Sequence, residues 1–189
     1  MASTTAILLI FLLSVSSTTF VFLCQGKQLV VEVKDAPKLP KLKQTQLQFY
    51  IKENFTGPDP TGVPIAQAAS TNSSATQFGL TYVFDHPLTL DPETTVDVVG
   101  RAQGIFSLTS KEIVSTTVLI TFIFNEERFN GSTLVVSGRV ESGDGRKELP
   151  VIGGSGAFRF ATGYCDIKPY DIGGGLELPF YNIYVRHYY

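Results

Sequence analysis

Several residue types that build catalytic or metal sites are scarce in this chain. Its 189 residues include no tryptophan, one methionine, two cysteines and two histidines, His86 and His187. No HxxxH, CxxC or DxD…E spacing occurs, so the sequence predicts no metal site. There is no GxSxG motif, no Cys–His motif and no βαβ pattern, which argues against nucleophilic catalysis and dinucleotide binding. We therefore expect no cofactor, and we expect both histidines at the surface or at strand ends.

Charge is also scarce, whereas apolar residues are plentiful. Charged residues make up 17% of the sequence and the formal net charge is -2, below the usual charged fraction of about 25%. Neither nucleic acid nor an anionic membrane is indicated as a partner. Hydrophobic residues make up 43% and aromatic residues 12%. A single domain of this length and composition can bury a substantial core.

The first 26 residues carry no charged side chain and contain two apolar patches, at 6–13 and 20–23. This pattern predicts a secretory signal peptide over 1–26, cleaved near Cys24. The alternative is an uncleaved membrane anchor, but Ser and Thr interrupt the apolar run, and a span needs ~20 apolar residues. Cleavage would leave Cys165 as the single cysteine, without an internal disulfide and without a membrane segment.

Three N-glycosylation sequons agree with secretion, at Asn54, Asn72 and Asn130. Residues 27–44 are predicted to form an N-terminal arm, with a short strand over 29–33 and a Pro/Lys-rich stretch over 36–41. The globular domain is predicted to span 45–189.

From residue 45 onward, short apolar and β-branched runs alternate with turn residues, and no amphipathic helix is predicted. An edge strand is expected over 63–69 because it contains Pro64, and a tight turn or bulge is expected within 150–164. The strands are predicted at 45–53, 63–69, 78–90, 98–107, 113–125, 132–139, 148–152, 157–168 and 176–187. The predicted fold class is all-β, an eight-stranded antiparallel β-barrel with a central cavity.

The strand at 98–107 has an unusual face, with Gly100, Ala102, Gly104 and Phe106 on one side. Small residues followed by an aromatic are typical either of a cavity wall with space beside it or of a close-packed barrel bend. The residues alone leave both readings open. Arg101 lies on the other face, where a structural hydrogen-bond network or a subunit contact is expected.

Two ionisable residues lie on strand faces whose other side chains are apolar. Glu53 shares a face with Ile51, and Lys147 has the parity of Leu149 and Val151. If these faces point into the barrel, Glu53 is desolvated, its pKa rises, and it can donate or accept a proton near neutral pH. The alternative is that both side chains lie in water at strand ends.

Four motifs together resemble those of plant dirigent proteins, over residues 45–189. They are GRAQG at 100–104, FG at 78–79 followed by VFD at 83–85, NGS at 130–132, and PVIGGSGAFRFATGY at 150–164. The resemblance implies a calycin/allene-oxide-cyclase-like barrel, secretion to the extracellular apoplast, and a homo-oligomer, as a trimer or a dimer. It also implies a phenolic radical or quinone methide as ligand, with a separate laccase or peroxidase as radical source.

The resemblance also implies a site, in which Glu53 and Lys147 are catalytic. The substrate-binding residues implied are Phe49, Ile51, Phe106, Leu108, Val140 and Phe180. The match to lignan-forming members is partial. Those members usually have Asp where this chain has Glu53, and Arg where it has Lys147. They usually have Tyr in place of Phe106, and Tyr is also common in place of Leu108. A second Asp of those members falls near Val140.

Three functions follow from the resemblance. The first is stereoselective coupling of phenoxy radicals, such as those of coniferyl alcohol, into optically active lignans. The second is cyclisation of a quinone methide from an isoflavanol, as in pterocarpan synthases. The third is phenol binding or cell-wall contact without catalysis.

Overall fold

The computed structural model describes residues 38, 40–94, 96–143, 147–174 and 176–188. All of these but Lys38 belong to the compact unit Leu39–Tyr189. The predicted signal peptide, the predicted strand over 29–33 and Cys24 lie outside the described residues. The first described strand begins at Leu42, inside the segment predicted as the arm.

The described part of the chain forms nine β-strands and three short 3-10 helices. The strands are β1 Leu42–Ile51, β2 Gly62–Ala66, β3 Thr81–Thr89, β4 Val98–Leu108, β5 Ser115–Phe124, β6 Thr133–Glu141, β7 Lys147–Ser155, β8 Thr162–Asp171 and β9 Glu177–Tyr188. The 3-10 helices are Thr71–Ser73, Glu127–Phe129 and Gly156–Phe158. In this part of the chain no helix is long and apolar enough to cross a membrane.

Eight of these strands form a closed antiparallel barrel, which confirms the predicted fold class. The order β1-β9-β8-β7-β6-β5-β4-β3 is closed by a second pairing of β1 with β3. This closing contact is short and joins Tyr50 to Thr89 and Ile51 to Leu88. Strand β2 pairs with the other half of β3, where Gly62 lies opposite Phe84, and is the edge strand expected from Pro64. Closure removes the free sheet edges of the barrel strands.

Alternate residues along the strands fill the barrel, and aromatic rings form the centre of the core. Phe49 on β1 lies with its ring centroid 5.1 Å from that of Phe122 and 6.0 Å from that of Tyr181. Tyr181 and Phe122 also touch edge to face, at 5.6 Å. These three buried rings close the barrel below the cavity described in the next subsection.

The small-residue face of β4 is close-packed, so the open-wall reading of Gly100, Ala102 and Gly104 is wrong. A Cβ on Gly100 would lie 2.3 Å from the carbonyl oxygen of Ile123, and one on Gly104 would lie 2.2 Å from that of Leu119. Ala102 is fully buried. The neighbouring strand approaches so closely that no larger side chain fits. Arg101, on the outer face, donates hydrogen bonds to the side chain and backbone oxygen of Asp85.

The connection between β7 and β8 contains the expected tight turn. The strand predicted over 157–168 is wrong in its first part, because the 3-10 helix and a turn occupy 156–160 and β8 begins only at Thr162. The backbone is left-handed at Gly156, with φ 60°, and at Phe160, with φ 61°. Left-handed residues interrupt a strand, and glycine adopts that conformation without a steric cost.

Both histidines are buried, so the surface alternative is wrong, whereas the strand-end alternative holds for His187, the penultimate residue of β9, and not for His86 within β3. His187 is completely buried, and its ring nitrogens lie 2.8 Å from the oxygen of Ala157 and 2.8 Å from Oγ1 of Thr45. His86 is 2% exposed. Each lies at an inward position of its strand. A polar side chain can be buried at such a position when hydrogen-bond partners are available.

Candidate functional site

One end of the barrel encloses a cavity of about 350 Å³. All eight barrel strands and the loop after β1 contribute to its wall. The lining residues are Ile51, Glu53, Phe55, Phe84, His86, Phe106, Thr116, Val118, Ile120, Val140, Lys147, Ile167, Lys168, Pro169, Glu177, Leu178, Pro179 and Tyr181. The volume lies near the lower end of the range of about 300–1,000 Å³ for small-molecule pockets, so one small organic molecule fits.

Aromatic rings from β3, β4 and the loop after β1 form one continuous part of the lining. The Phe84 ring stacks on the His86 ring, with centroids 4.9 Å apart and planes 10° apart. Phe55 meets His86 edge to face at 5.3 Å and meets Phe106 at 6.0 Å. We call Phe55, Phe84, His86 and Phe106 the aromatic wall. Its arrangement suits a planar aromatic guest.

Four charged side chains form another part of the lining, which we call the charged rim: Glu53, Lys147, Lys168 and Glu177. Glu53 lies two residues after the last residue of β1 and is accessible from the cavity mouth. The protein atoms around it still displace enough water to raise the pKa of its carboxyl, and the charge of Lys147 opposes this rise. Glu53 is therefore present as a neutral acid to a higher pH than an ordinary glutamate.

Tyr181 on β9 joins the cavity to the buried core. It is 5% exposed, lines the cavity and touches Phe49 and Phe122. Burial raises the pKa of its phenol well above the ordinary value, and the nearby Glu53 carboxylate and Cys165 add to the rise. Tyr181 thus keeps its proton and can act only as a neutral hydrogen-bonding group.

The structure brings five of the predicted site residues into the lining: Ile51, Glu53, Phe106, Val140 and Lys147. The other three lie elsewhere. Phe49 is buried in the core beside Tyr181, and Leu108 is buried at the end of β4 without reaching the lining.

Phe180, predicted to bind substrate, is not among the residues that line the cavity. It lies on the outer face of β9, opposite Tyr50, with the two ring centroids 5.1 Å apart. Its neighbours Pro179 and Tyr181 line the cavity. Side chains alternate between faces along a strand, so Phe180 points away from the cavity.

Sequence reasoning missed His86, Tyr181, Phe55 and Phe84 as lining residues. Phe84, His86 and Leu88 are buried at alternate positions of β3, and this inward parity was a usable signal. Phe55 had no such signal, because it lies in a loop whose path the sequence does not define. The predicted glycosylation sites Asn54, Asn72 and Asn130 are exposed, and their modification stays a prediction.

The cavity can carry out general acid–base chemistry on an aromatic guest. Glu53 can donate a proton in its neutral form, and the cations Lys147 and Lys168 can stabilise negative charge. Cys165 is fully buried, and burial raises the pKa of its thiol, so a thiolate nucleophile is not formed there. Within the described ranges, no group of three or more His, Cys, Asp or Glu residues is arranged to hold a metal ion.

The fold and cavity define a class of protein: a closed antiparallel barrel with a cavity of small-molecule size between an aromatic wall and a charged rim. A family model described as Dirigent-like protein matches residues 44–186. The chain therefore belongs to the dirigent family, as its motifs predicted.

The relatives that this chain resembles include both dirigent proteins and pterocarpan synthases. Dirigent protein 11 of Arabidopsis thaliana is 41% identical over 145 residues, covering 77% of this chain and 75% of the relative. Pterocarpan synthase 1 of Glycyrrhiza echinata is 38% identical over 149 residues, covering 77% of this chain and 79% of the relative. A solved pterocarpan synthase dirigent protein superimposes with a TM-score of 0.76 at 33% identity, covering 86% of this chain and 100% of that one.

Proposed function

We propose that the chain binds one phenolic molecule in the cavity and directs the stereochemistry of the bond that forms on it. The observation that carries this proposal is a carboxyl of raised pKa, Glu53, in the lining of an aromatic-walled cavity of about 350 Å³. The wall holds the ring in one orientation, and orientation alone supplies a large part of the rate and selectivity of an intramolecular reaction.

The reaction that fits these groups is ring closure of a quinone methide. A hydroxyl of the same molecule attacks the exocyclic carbon and loses its proton, while the quinone methide oxygen takes up a proton and the ring becomes aromatic again. The step is an isomerisation, so it needs no oxidant. Neutral Glu53 supplies a proton, its carboxylate form accepts one, and the charge of Lys147 limits the rise of the Glu53 pKa.

Stereoselective coupling of phenoxy radicals is the first source of such a quinone methide. A separate laccase or peroxidase would make the radicals, for example from coniferyl alcohol, and the coupled product would close its rings under the control of the cavity. Ile51, Phe106, Val140, Glu53 and Lys147 all line the cavity, at positions that the dirigent resemblance implied for this reaction.

Loss of water from an isoflavanol is the second source. Here neutral Glu53 would protonate the leaving hydroxyl, and the same molecule would then close its ring without any oxidase. The specific support is the similarity to pterocarpan synthases, with 38% identity to one and a TM-score of 0.76 to a solved one. Acid chemistry at Glu53 is required from the start of this reaction, so it depends on this residue more strongly than radical coupling does.

Two product assays separate these candidates. Laccase and coniferyl alcohol are combined with and without the protein, and the lignans are resolved by chiral chromatography. An enantiomeric excess that depends on the protein supports the first candidate, and a racemic product in both reactions removes it. Turnover of an isoflavanol without laccase supports the second candidate, and its absence removes that one. Phenol binding without any effect on products would leave a non-catalytic binding protein.

The matched variants for both assays are Glu53→Gln and Glu148→Gln. Glu148 is exposed on β7 and lies outside the cavity lining, so its substitution changes charge by the same amount without touching the site. We expect Glu53→Gln to lower turnover by about 10²–10⁴-fold, the usual contribution of a general acid or base. Equal rates in the two variants would reject the role of Glu53.

We also propose that the protein is secreted to the apoplast, carries glycans on Asn54, Asn72 and Asn130, and assembles as a homo-oligomer, a trimer or a dimer. The three asparagines are exposed. Expression in a plant secretory system tests all three points, by mass spectrometry of the glycans and light scattering of the purified protein. A non-glycosylated monomer retained in the cell would contradict them.

A further inference from the structure

His86 is a buried histidine of the aromatic wall, and the reaction proposed above gives its two ring nitrogens no role. The residue is 2% exposed, and its ring contacts the rings of Phe84 and Phe55 and borders the cavity. A buried imidazole needs partners for both of its nitrogens, because an unsatisfied polar atom in the interior is costly. The two nitrogens of His86 have different surroundings.

The Nδ1 atom has a firm protein partner, the hydroxyl of Thr61 at 2.6 Å. Thr61 is itself held in place by the backbone on both sides. Its N–H donates to the oxygen of Asn54 at 2.8 Å, and its own oxygen accepts from the N–H of Asp85 at 2.8 Å. The imidazole is therefore oriented by a group that cannot easily move.

The distances around Thr61 favour one tautomer of His86. The hydroxyl of Thr61 has two possible acceptors, Nδ1 of His86 at 2.6 Å and the oxygen of Asn54 at 3.4 Å. Because the contact with Nδ1 is much the shorter of the two, it is the better acceptor for the single hydroxyl proton of Thr61. In a neutral ring the remaining proton is then on Nε2, which becomes a donor.

The Nε2 atom has no hydrogen-bond partner among the described residues. In the described part of the chain, Ser115 Oγ is the one fully buried side-chain nitrogen or oxygen atom without a partner. Nε2 of His86 has no partner there and is not in that class, so it is not fully buried. His86 borders the cavity, so an uncovered Nε2–H group on this ring is available to a guest in the cavity. A donor without a protein partner, beside an aromatic wall, is a recognition element for an acceptor oxygen on an aromatic ring.

We infer that His86 Nε2–H donates a hydrogen bond to the ring oxygen of the phenolic guest, and that this contact selects para-oxygenated aromatic compounds. This inference rests on the proposed function, since it names the group that holds the guest. The carbonyl oxygen of a quinone methide is an acceptor without a proton, so it matches a donor and does not match a second acceptor. The hydrogen bond also draws electron density toward that oxygen, which makes the exocyclic carbon more electrophilic during ring closure.

Nuclear magnetic resonance of the imidazole nitrogens tests this contact in the unmodified protein. The chain has two histidines, and His187 is an internal control because both of its nitrogens have partners outside the cavity lining. The probes are p-coumaryl alcohol and cinnamyl alcohol, which differ only in the phenolic oxygen. We expect p-coumaryl alcohol to shift the Nε2 signal of His86, cinnamyl alcohol to leave it unchanged, and the His187 signals to stay constant. An unchanged His86 signal in saturating p-coumaryl alcohol overturns the inference.

Calorimetric affinities in two variants give a second test. A site that hydrogen-bonds a hydroxyl rejects an analogue lacking it, and we expect the wild-type protein to prefer p-coumaryl alcohol by about tenfold or more. His86→Phe should lose this preference, and His86→Gln, which keeps an N–H donor, should retain part of it. A preference in His86→Phe equal to that of the wild type, or no preference in the wild type, overturns the inference.

Failure of this inference and failure of the proposed function give different results. If p-coumaryl alcohol shifts the His86 signal but products stay racemic and no isoflavanol is turned over, His86 recognises the phenol and the proposed reactions are removed. If products are stereoselective but the His86 signal does not respond, the reaction stands and another residue holds the ring oxygen.

Discussion

Gly104 on β4 and Phe84 on β3 are packed so closely that a Cβ on Gly104 would lie 2.7 Å from Cζ of Phe84. The same Cβ would lie 2.2 Å from the carbonyl oxygen of Leu119 on the other neighbouring strand. The ring of Phe84 occupies the space that the missing side chain leaves, and in that position it forms part of the aromatic wall. Gly104, which the sequence suggested as part of an open cavity wall, therefore instead leaves room for the lining residue Phe84.

The first prediction concerns this contact. Gly104→Ala should lower the free energy of unfolding by about 1–3 kcal/mol, the usual cost of overpacking, and should weaken phenol binding because Phe84 must move. Gly138→Ala is the matched control, since its Cβ would meet side-chain atoms and no backbone oxygen, at 2.9 Å from Cδ2 of Leu149 and 3.3 Å from Cδ of Pro150. Urea unfolding and calorimetry measure both effects. Equal losses in the two variants would contradict the assigned role of Gly104.

The second prediction concerns the pH dependence of catalysis by Glu53. If neutral Glu53 donates the proton, the rate falls as the pH rises through its raised pKa. The positive charge of Lys147 lowers that pKa, so Lys147→Met should raise it further and move the falling limb of the rate profile to higher pH. Lys111→Met, an exposed substitution outside the lining, is the control. A limb that stays in place in Lys147→Met, or moves to lower pH, would disprove the coupling.

The third prediction uses the buried state of His86. Desolvation lowers its pKa from 6.5 to about 4, with Asp85 opposing and Arg101 adding to the shift. Between these values the unfolded chain binds a proton that the folded protein does not, so stability falls as the pH drops from about 7 to about 4. The shift corresponds to a loss of up to about 3 kcal/mol. His86→Gln should remove this part of the acid sensitivity in chemical denaturation, and an identical pH dependence in wild type and variant would show otherwise.

The fourth prediction compares two phenylalanines that the sequence did not distinguish. Phe106→Ala should weaken phenol binding, because this ring lies in the aromatic wall and stacks on Tyr82 at 4.9 Å. Phe180→Ala should leave the affinity unchanged and cost stability alone, on the order of 1 kcal/mol for the lost contact with Tyr50. Parallel titrations of the two variants with a phenol measure the affinity, and their unfolding curves measure the stability. Weaker binding in Phe180→Ala would place that residue in the site.

The alternation of apolar residues and the spacing of turns were sufficient to predict the barrel, and they were sufficient because each strand buries one face. The inward face of β1 also placed Ile51 correctly, and the position of Glu53 just beyond it made a carboxyl at the cavity predictable. The same logic failed for β9. Aromatic residues occur on both of its faces, Tyr181 inward and Phe180 outward, so its periodicity did not indicate which set lines the cavity.

The closed antiparallel barrel, the family and the acid just after β1 could all be predicted from the residues in order, because they depend on local alternation and on motifs contiguous in the chain. The tertiary structure alone decided that the glycines of β4 are packed and not open, and that His86 is buried against Thr61. These features depend on distances between separate segments: Leu119 against Gly104, and Thr61 Oγ1 at 2.6 Å from His86 Nδ1. Such contacts are defined by strand register and loop path, which emerge only when the barrel closes.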